Sequence, residues 1–285
     1  MKLKRWRLLG IFASAYVFLL MENILDAAEI NAFFDSERAS NGELDRFLLQ
    51  VDRQVFEDER GNTERLTIAG IDTASLQVIY YLVCKLQASH TIETGFGHGL
   101  SAVAILLGKA GLADQKHMSI DHRGLPNGEG GVVQRHIESR FKDSFERIYE
   151  PSEIALPALL RKKPDMRIKF ALIDGNHHLD GVMIDFYYLD RFCAIGGYLL
   201  IDDVRFPAVE TLVNFIRSNK SNYRVQEIGR FAVLQKLDDD RRAWNHFRPF
   251  VVPNRRDWER RPDGVGYYLK RCQMKLKQRM GRLDR

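Results

Sequence analysis

Through the middle of this chain, short apolar runs that end at or beside an acidic residue alternate with longer stretches of helical spacing. The runs are HTIET at residues 90–94, HMSID at 117–121, KFALID at 169–174 and GYLLIDD at 197–203. Strands this uniformly apolar must be covered on both faces, and strands that alternate with helices pair in parallel. The pattern predicts a doubly wound α/β fold. Apolar residues at helical spacing over 71–86, with no glycine or proline, predict a helix leading into the first run. Residues 223–228 and 230–237, joined at Gly229, predict an antiparallel strand pair at the end of the sheet.

Ligands of open parallel sheets bind beyond the carboxyl ends of the strands, where successive crossovers turn to opposite faces. Glu93, Asp121, Asp174, Asp202 and Asp203 all fall at that edge. A row of carboxylates at one rim repels itself, so the sequence predicts that something binds across it.

The first run leads into Glu93-Thr-Gly95-Phe-Gly97-His-Gly99-Leu-Ser101 and then an apolar helical stretch. Glycine allows a sharp turn and a close approach of ligand to backbone. The spacing is G-x-G-x-G, and Leu100 stands where a dinucleotide fingerprint would carry its third glycine. This segment resembles motif I of the class I S-adenosylmethionine-dependent methyltransferases. Asp121 ends the next run, where an acidic side chain can accept from a ribose diol, a device that NAD enzymes share. Tyr149-Glu-Pro-Ser152 resembles the segment that touches adenine in small O-methyltransferases, although a serine there is also an ordinary helix N-cap. Together the resemblance assigns Glu93, Gly95, Gly97, Gly99, Ser101, Asp121, Ser152 and Asp174 to S-adenosylmethionine. It also implies a mostly parallel seven-stranded sheet.

The densest match is FALIDGNHHLDGVMIDFYYLDRFCAIGGYLLIDDV at residues 170–204, which resembles the second half of catechol-type and sugar-type O-methyltransferases. Many relatives of that kind hold a divalent cation on the acids that end these two strands. The resemblance therefore implies Mg²⁺ or another divalent cation on Asp174, Asp202 and Asp203, able to orient acceptor hydroxyls and lower their pKa. The competing structural reading has Asp203 capping the helix that begins near Pro207 and Asp202 facing solvent. His177 stands where catechol-type enzymes place a base, and imidazole suits proton removal near neutral pH. The sugar-type base position is Asn176, which cannot take that role. His178 is a weaker alternative to His177, and His98 reads as a wall beside the cofactor.

The ends of the chain differ from its body. Residues 241–285 hold 14 Lys/Arg against 4 Asp/Glu, a local charge of +10, which leaves −5 for the rest. Lys2, Lys4, Arg5 and Arg7 precede the uncharged run LLGIFASAYVFLLM at 8–21, which as a helix rises about 21 Å, short of a bilayer core of roughly 30 Å. The expected organisation is an N-terminal anchor-like or packed helix over 1–30, a linker and helical lead-in over 31–65, a cofactor-binding domain over 66–240 and a basic extension over 241–285. Two basic ends favour an anionic membrane surface as a partner, with the protein cytoplasmic or on the cytoplasmic face. Nucleic acid and a homo-oligomer stay open as partners. Cys84, Cys193 and Cys272 form no C-x-x-C pair, which fits a reducing compartment.

The function that follows is methyl transfer from S-adenosylmethionine to a hydroxyl of a small molecule or glycan, with divalent-cation assistance. Two alternatives stand beside it. One is an NAD(P)-dependent oxidoreductase, and the other is a non-catalytic module that binds RNA or membrane.

Overall fold

Side chains of the central strands alternate between two faces, and both faces are buried. In the computed structural model, which describes residues 24–66, 71–122 and 131–253, the first described elements are α1 (Ala27–Ser40), α2 (Gly42–Asp52), and a small antiparallel pair, β1 (Val55–Glu57) and β2 (Thr63–Arg65). The alternating core follows: α3 (Thr73–Leu86), β3 (His90–Thr94), α4 (Leu100–Gly108), β4 (Lys116–Ile120), α5 (Val132–Arg140) and β5 (Phe145–Ile148). It continues through α6 (Ser152–Lys162), β6 (Ile168–Ile173), α7 (Leu179–Phe192), β7 (Cys193–Ile201), α8 (Pro207–Asn219), β8 (Tyr223–Ile228) and β9 (Phe231–Lys236).

The main sheet has seven strands in the order β5-β4-β3-β6-β7-β9-β8. β3, β4, β5, β6 and β7 pair in parallel, and β9 runs antiparallel to both β7 and β8. This is the doubly wound, mostly parallel sheet with an antiparallel terminal pair that the sequence predicts. β6 shows why its strands read as unbroken apolar runs. Phe170 and Leu172 enter the core shared with α3, α4 and α5, whereas Ala171 and Ile173 enter the core shared with α6, α7 and α8. Strand order therefore reverses between β3 and β6, the switch point at which such sheets bind ligands.

Local chemistry sets the elements that frame this edge. Asp72 caps α3 by accepting from the Ser75 amide at 2.8 Å, and Gln87 closes the helix in the left-handed region at φ 45°. Residues 31–65 form more than a linker. α1 buries Ile30 and Phe34, α2 buries Leu44, Phe47, Leu48 and Val51, and both pack into the α3 face of the core. Two hydrogen bonds of 2.9 Å between Leu25 and the Gln226 amide side chain tie the start of this segment to β8. The sequence expectations lack the β1–β2 pair and, in the main sheet, β5, whose FERI carries two charged residues at the sheet edge and lacks an apolar run.

Residues 1–23 and 254–285 lie outside the described residues, and with them most of the anchor-like segment, most of the basic tail and Cys272. Cys84 is half-buried and Cys193 is buried, both as free thiols. Among the described residues no helix is long and apolar enough to cross a membrane.

One core lysine carries a testable cost. Lys109 is fully buried, its ammonium 3.3 Å from the Thr91 hydroxyl, and burial pushes its pKa down from 10.5 to about 7. The folded state thus holds fewer protons than the unfolded chain between those two values, so this group makes stability rise with pH across that window. Its penalty is fully present below about pH 7. Lys109→Met should therefore stabilise the fold by a few kcal/mol at pH 6.5 and by little at pH 10. Urea unfolding at the two pH values measures this, and an equal effect at both would contradict it.

Candidate functional site

The glycine turn between β3 and α4 is shaped by what lies behind it. Gly95, Gly97 and Gly99 adopt φ of 87°, 52° and 84°, in the region that favours glycine. A Cβ on Gly95 would drive into the backbone carbonyl of Asp174, whereas one on Gly97 would meet open space. The turn is thus pressed against the end of β6 at one glycine and open at the next. Two backbone bonds seal the seam, Gly95 to the Ile120 carbonyl and Asp174 to the Thr94 carbonyl, each 2.9 Å.

Glu93 and Ser101 meet beneath the turn, where the Ser101 hydroxyl donates to Glu93 Oε2 at 2.7 Å. Glu93 is fully buried, with His117 Nε2 3.3 Å from its other oxygen and Thr91 completing the file at 3.0 Å from His117 Nδ1. Asp121, at the end of β4, accepts from the Phe96 amide at 3.0 Å and so holds the turn from its second side. His98 does not simply wall the turn. Its Nδ1 lies 2.9 Å from Glu64, which also accepts from the Val133 amide at the start of α5. Although burial opposes it, these bonds lower the Glu64 pKa.

Ser152 is the first residue of α6 and Pro151 takes the cap position, so Ser152 is not the N-cap. Its hydroxyl faces Asp185 instead. Asp185 is fully buried beneath Gly175, and burial pushes its pKa up to about 6 even though Ser152 and Thr94 hydroxyls favour its charged form.

At the far side of the switch point, Asp174, Asp202 and Asp203 converge as the sequence implies. Neither structural alternative for the pair holds. Asp202 is wholly buried, and Phe206 takes the cap position of α8 without a side-chain cap bond. Both acids instead bind Arg230, which lies in the turn between β8 and β9. Its Nε and Nη2 donate to the two oxygens of Asp202 at 2.5 and 2.7 Å, and Nη2 also reaches Asp203 Oδ1 at 3.0 Å. Burial alone would weaken this guanidinium as a base, but the Asp202 and Asp203 charges outweigh that and hold it protonated. Asp174 is pushed well above the carboxylate range by burial, and the neighbouring Asp202 charge adds to the shift.

His177 is brought to this cluster and His178 is not. His177 Nε2 stands 3.5 Å from Asp203 Oδ2 and 3.6 Å from Asp174 Oδ1, with the ring edge-on to Phe206 at 5.4 Å between centroids. A cavity of about 470 Å³ opens past Asp203 and Phe206, the two residues that stand between it and His177. Asp203, Phe206 and Arg230 form one wall, and α1 and α3 form the other through Ile30 and Val78.

The divalent cation implied by resemblance does not fit this arrangement. Arg230 already engages both oxygens of Asp202 and one of Asp203. Among the described residues no group of three or more His, Cys, Asp or Glu side chains is disposed to hold a metal ion.

Sequence reasoning missed Arg230, Glu64 and Arg147. Arg147, in β5, lays its guanidinium 3.7 Å from the centroid of the Phe96 ring. Burial lowers its pKa, against the pull of the nearby Asp121 charge. An arginine two residues before the Tyr149-to-Ser152 segment was the available signal.

The doubly wound sheet with its antiparallel terminal pair is the fold shared with solved methyltransferase structures. Residues 92–204 match the family model described as a methyltransferase domain. No curated protein sequence matches the chain. Similar solved structures include the O-methyltransferase TomG from Streptomyces achromogenes in complex with SAM, at 14% identity and a TM-score of 0.52, covering 84% of this chain and 100% of that one. The O-methyltransferase from Bacillus cereus in complex with SAH aligns at 12% identity and 0.50, covering 78% of this chain and 96% of that one. Cofactor-bound Rv0187 from MTB aligns at 15% and 0.52, covering 76% and 100%. At these identities the likeness is one of fold.

The glycine turn makes a paired prediction. Gly95→Ala meets both a left-handed φ and the Asp174 backbone, so it should destabilise the protein by several kcal/mol. Gly97→Ala meets the conformational penalty alone, about 1–2 kcal/mol. Urea unfolding should separate the two variants, and equal losses would show that the seam with β6 does not constrain the turn.

Proposed function

We propose that this protein transfers a methyl group from S-adenosylmethionine to a hydroxyl oxygen of a small molecule whose apolar body fills the cavity past Asp203 and Phe206. The observation that carries the reading is the position of His177. It stands between Asp174, whose backbone backs the glycine turn, and Asp203, which lines the cavity. His177 does not line the cavity itself but stands against Asp203, which does, and against Asp174 at the glycine turn. The walls contributed by Ile30, Val78, Ile228 and Phe231 favour an apolar acceptor body over a glycan, and a volume of this size matches an ordinary small-molecule site.

The residues present fit the cofactor. Gly97 leaves room for a close approach, and Asp121 offers a carboxylate at the β4 end for a ribose diol. The turn from Gly95 to Gly99 would receive the amino-acid portion, with Glu93 and Ser101 bracing it from below. When bound, the cofactor supplies an electrophilic methyl for in-line displacement. The protein's share is positioning and proton removal. His177 takes the proton that the acceptor hydroxyl must lose. The positive charge then carried by the imidazole faces the Asp203 carboxylate at 3.5 Å, which stabilises it, while the Asp174 carboxyl at 3.6 Å helps to hold the ring in place. No step runs through a metal ion.

Calorimetry with S-adenosylhomocysteine tests the cofactor assignment. The wild-type protein should bind it, and Asp121→Ala should weaken binding at least tenfold, about 1.4 kcal/mol, through loss of a charge-assisted hydrogen-bond pair. Unchanged affinity in the variant would overturn the role of Asp121.

Screening hydroxylated aromatic compounds by mass spectrometry should reveal a methylated product. His177→Ala should then lower kcat by about 10²- to 10⁴-fold while S-adenosylhomocysteine affinity stays as it was. A variant that turns over at the wild-type rate would remove His177 from the mechanism.

A further inference from the structure

We propose that Arg230 supplies the positive charge that a divalent cation would otherwise bring to the Asp174, Asp202 and Asp203 rim, so that the acceptor site works without a metal ion. The inference rests on the methyl-transfer reading for its purpose, but its geometry stands alone. A hard cation needs carboxylate oxygens free to coordinate it and open positions for the acceptor. Asp202 offers no free oxygen, because Arg230 holds both, and the residue is sealed from solvent. One oxygen of Asp203 is engaged by the same guanidinium and the other faces His177.

The fork is built into the fold. The Val204 amide donates to the Arg230 carbonyl at 3.0 Å, and β7 pairs with β9 through Ile201 and Ala232, so backbone fixes Arg230 beside the acids it binds. Gly229, at φ 58°, turns β8 into β9 just before it. Asp203 itself adopts φ 55°, unusual for a residue other than glycine, and in that conformation it shares one guanidinium with its neighbour. Planar arginine matches carboxylates bidentately and stays charged at any physiological pH. A divalent ion entering the rim would have to break a buried fork and then sit beside the displaced guanidinium.

Arg230 is therefore a positioning residue, which pins Asp202 and turns Asp203 toward His177. It also lines the acceptor cavity, so the charge that serves the acids is presented at the acceptor's edge. The acceptor hydroxyl would then lose its proton to His177 beside the fixed Asp203 carboxylate.

The test titrates Mn²⁺ into chelator-treated full-length protein, with binding read by calorimetry and by the spin-resonance signal of free Mn²⁺. Wild-type protein should show no site below millimolar concentration. Arg230→Met, which keeps bulk and removes the charge, should acquire a site at least tenfold tighter, and Arg230→Met with Asp202→Asn should lose it again. Wild-type binding of one Mn²⁺ at micromolar concentration, abolished by Asp202→Asn, would overturn the proposal. So would a folded Arg230→Met protein that gains no site. If that variant fails to fold, Arg230→Gln, which removes the charge but keeps a side chain able to hydrogen-bond the acids, decides by the same criterion. None of these readings requires methyl transfer, so a protein that binds no S-adenosylhomocysteine would sink the functional proposal while leaving this one to stand or fall by itself.

Discussion

Parallel strands that end together deliver their terminal side chains to one edge whether or not the charges agree. Here β3, β4, β6 and β7 carry Glu93, Asp121, Asp174, Asp202 and Asp203 to that edge. Much of the surrounding structure answers the resulting repulsion, and it does so differently at each position. Glu93 is taken inside and bonded by Ser101 beside His117. Asp121 receives the Phe96 amide in the field of Arg147. Asp202 and Asp203 share Arg230. Such answers separate acids that hold the protein's own backbone from acids that face an open cavity, which repetition of a motif along a sequence cannot do.

The seam between Gly95 and Asp174 joins the two halves of this edge. A glycine is required there because two backbones approach too closely for a Cβ. The consequence is mechanical coupling. Any shift of the glycine turn moves the β6 end, and with it the acid that faces His177. On the proposed reading, cofactor-side and acceptor-side chemistry are thereby held to one geometry by packing, which is less deformable than a pair of long side chains.

What was legible in the sequence followed from local rules. Apolar runs marked β3, β4, β6 and β7, because strands buried on both faces leave that trace, and the spacing of Gly95, Gly97 and Gly99 marked the turn. β5 left no such trace, since an edge strand can carry Glu146 and Arg147 without burying them fully. Convergence of Asp174, Asp202 and Asp203 could be inferred from strand ends alone. The identity of their counter-charge could not. Arg230 lies 28 residues from Asp202 and reaches it only because β9 returns antiparallel beside β7. A carboxylate row reads the same in sequence whether a metal ion or a guanidinium neutralises it, and only pairing across the hairpin distinguishes them. Glu64 was invisible for a similar reason, because the β1–β2 pair docks on the turn from outside the alternating pattern.

The cavity past Asp203 draws most of its walls from parts of the chain that the methyltransferase-domain match does not span. The match covers residues 92–204, whereas Ile30, Asp72, Val78, Phe206, Ile228 and Phe231 all line the cavity from outside that range. α1 forms part of the wall, and the clasp between Leu25 and Gln226 ties the segment just before it to the strand that also carries Ile228. On the proposed reading, then, cofactor and acceptor recognition are divided between two sets of elements. The first set is constrained by backbone seams and glycines, and tolerates little change. The second is a helix lying on the body and a hairpin turn, whose side chains can vary in size and polarity without disturbing the sheet. On that reading, a fold held in common with solved methyltransferases predicts where the methyl group enters while leaving its destination to α1 and the β8–β9 turn.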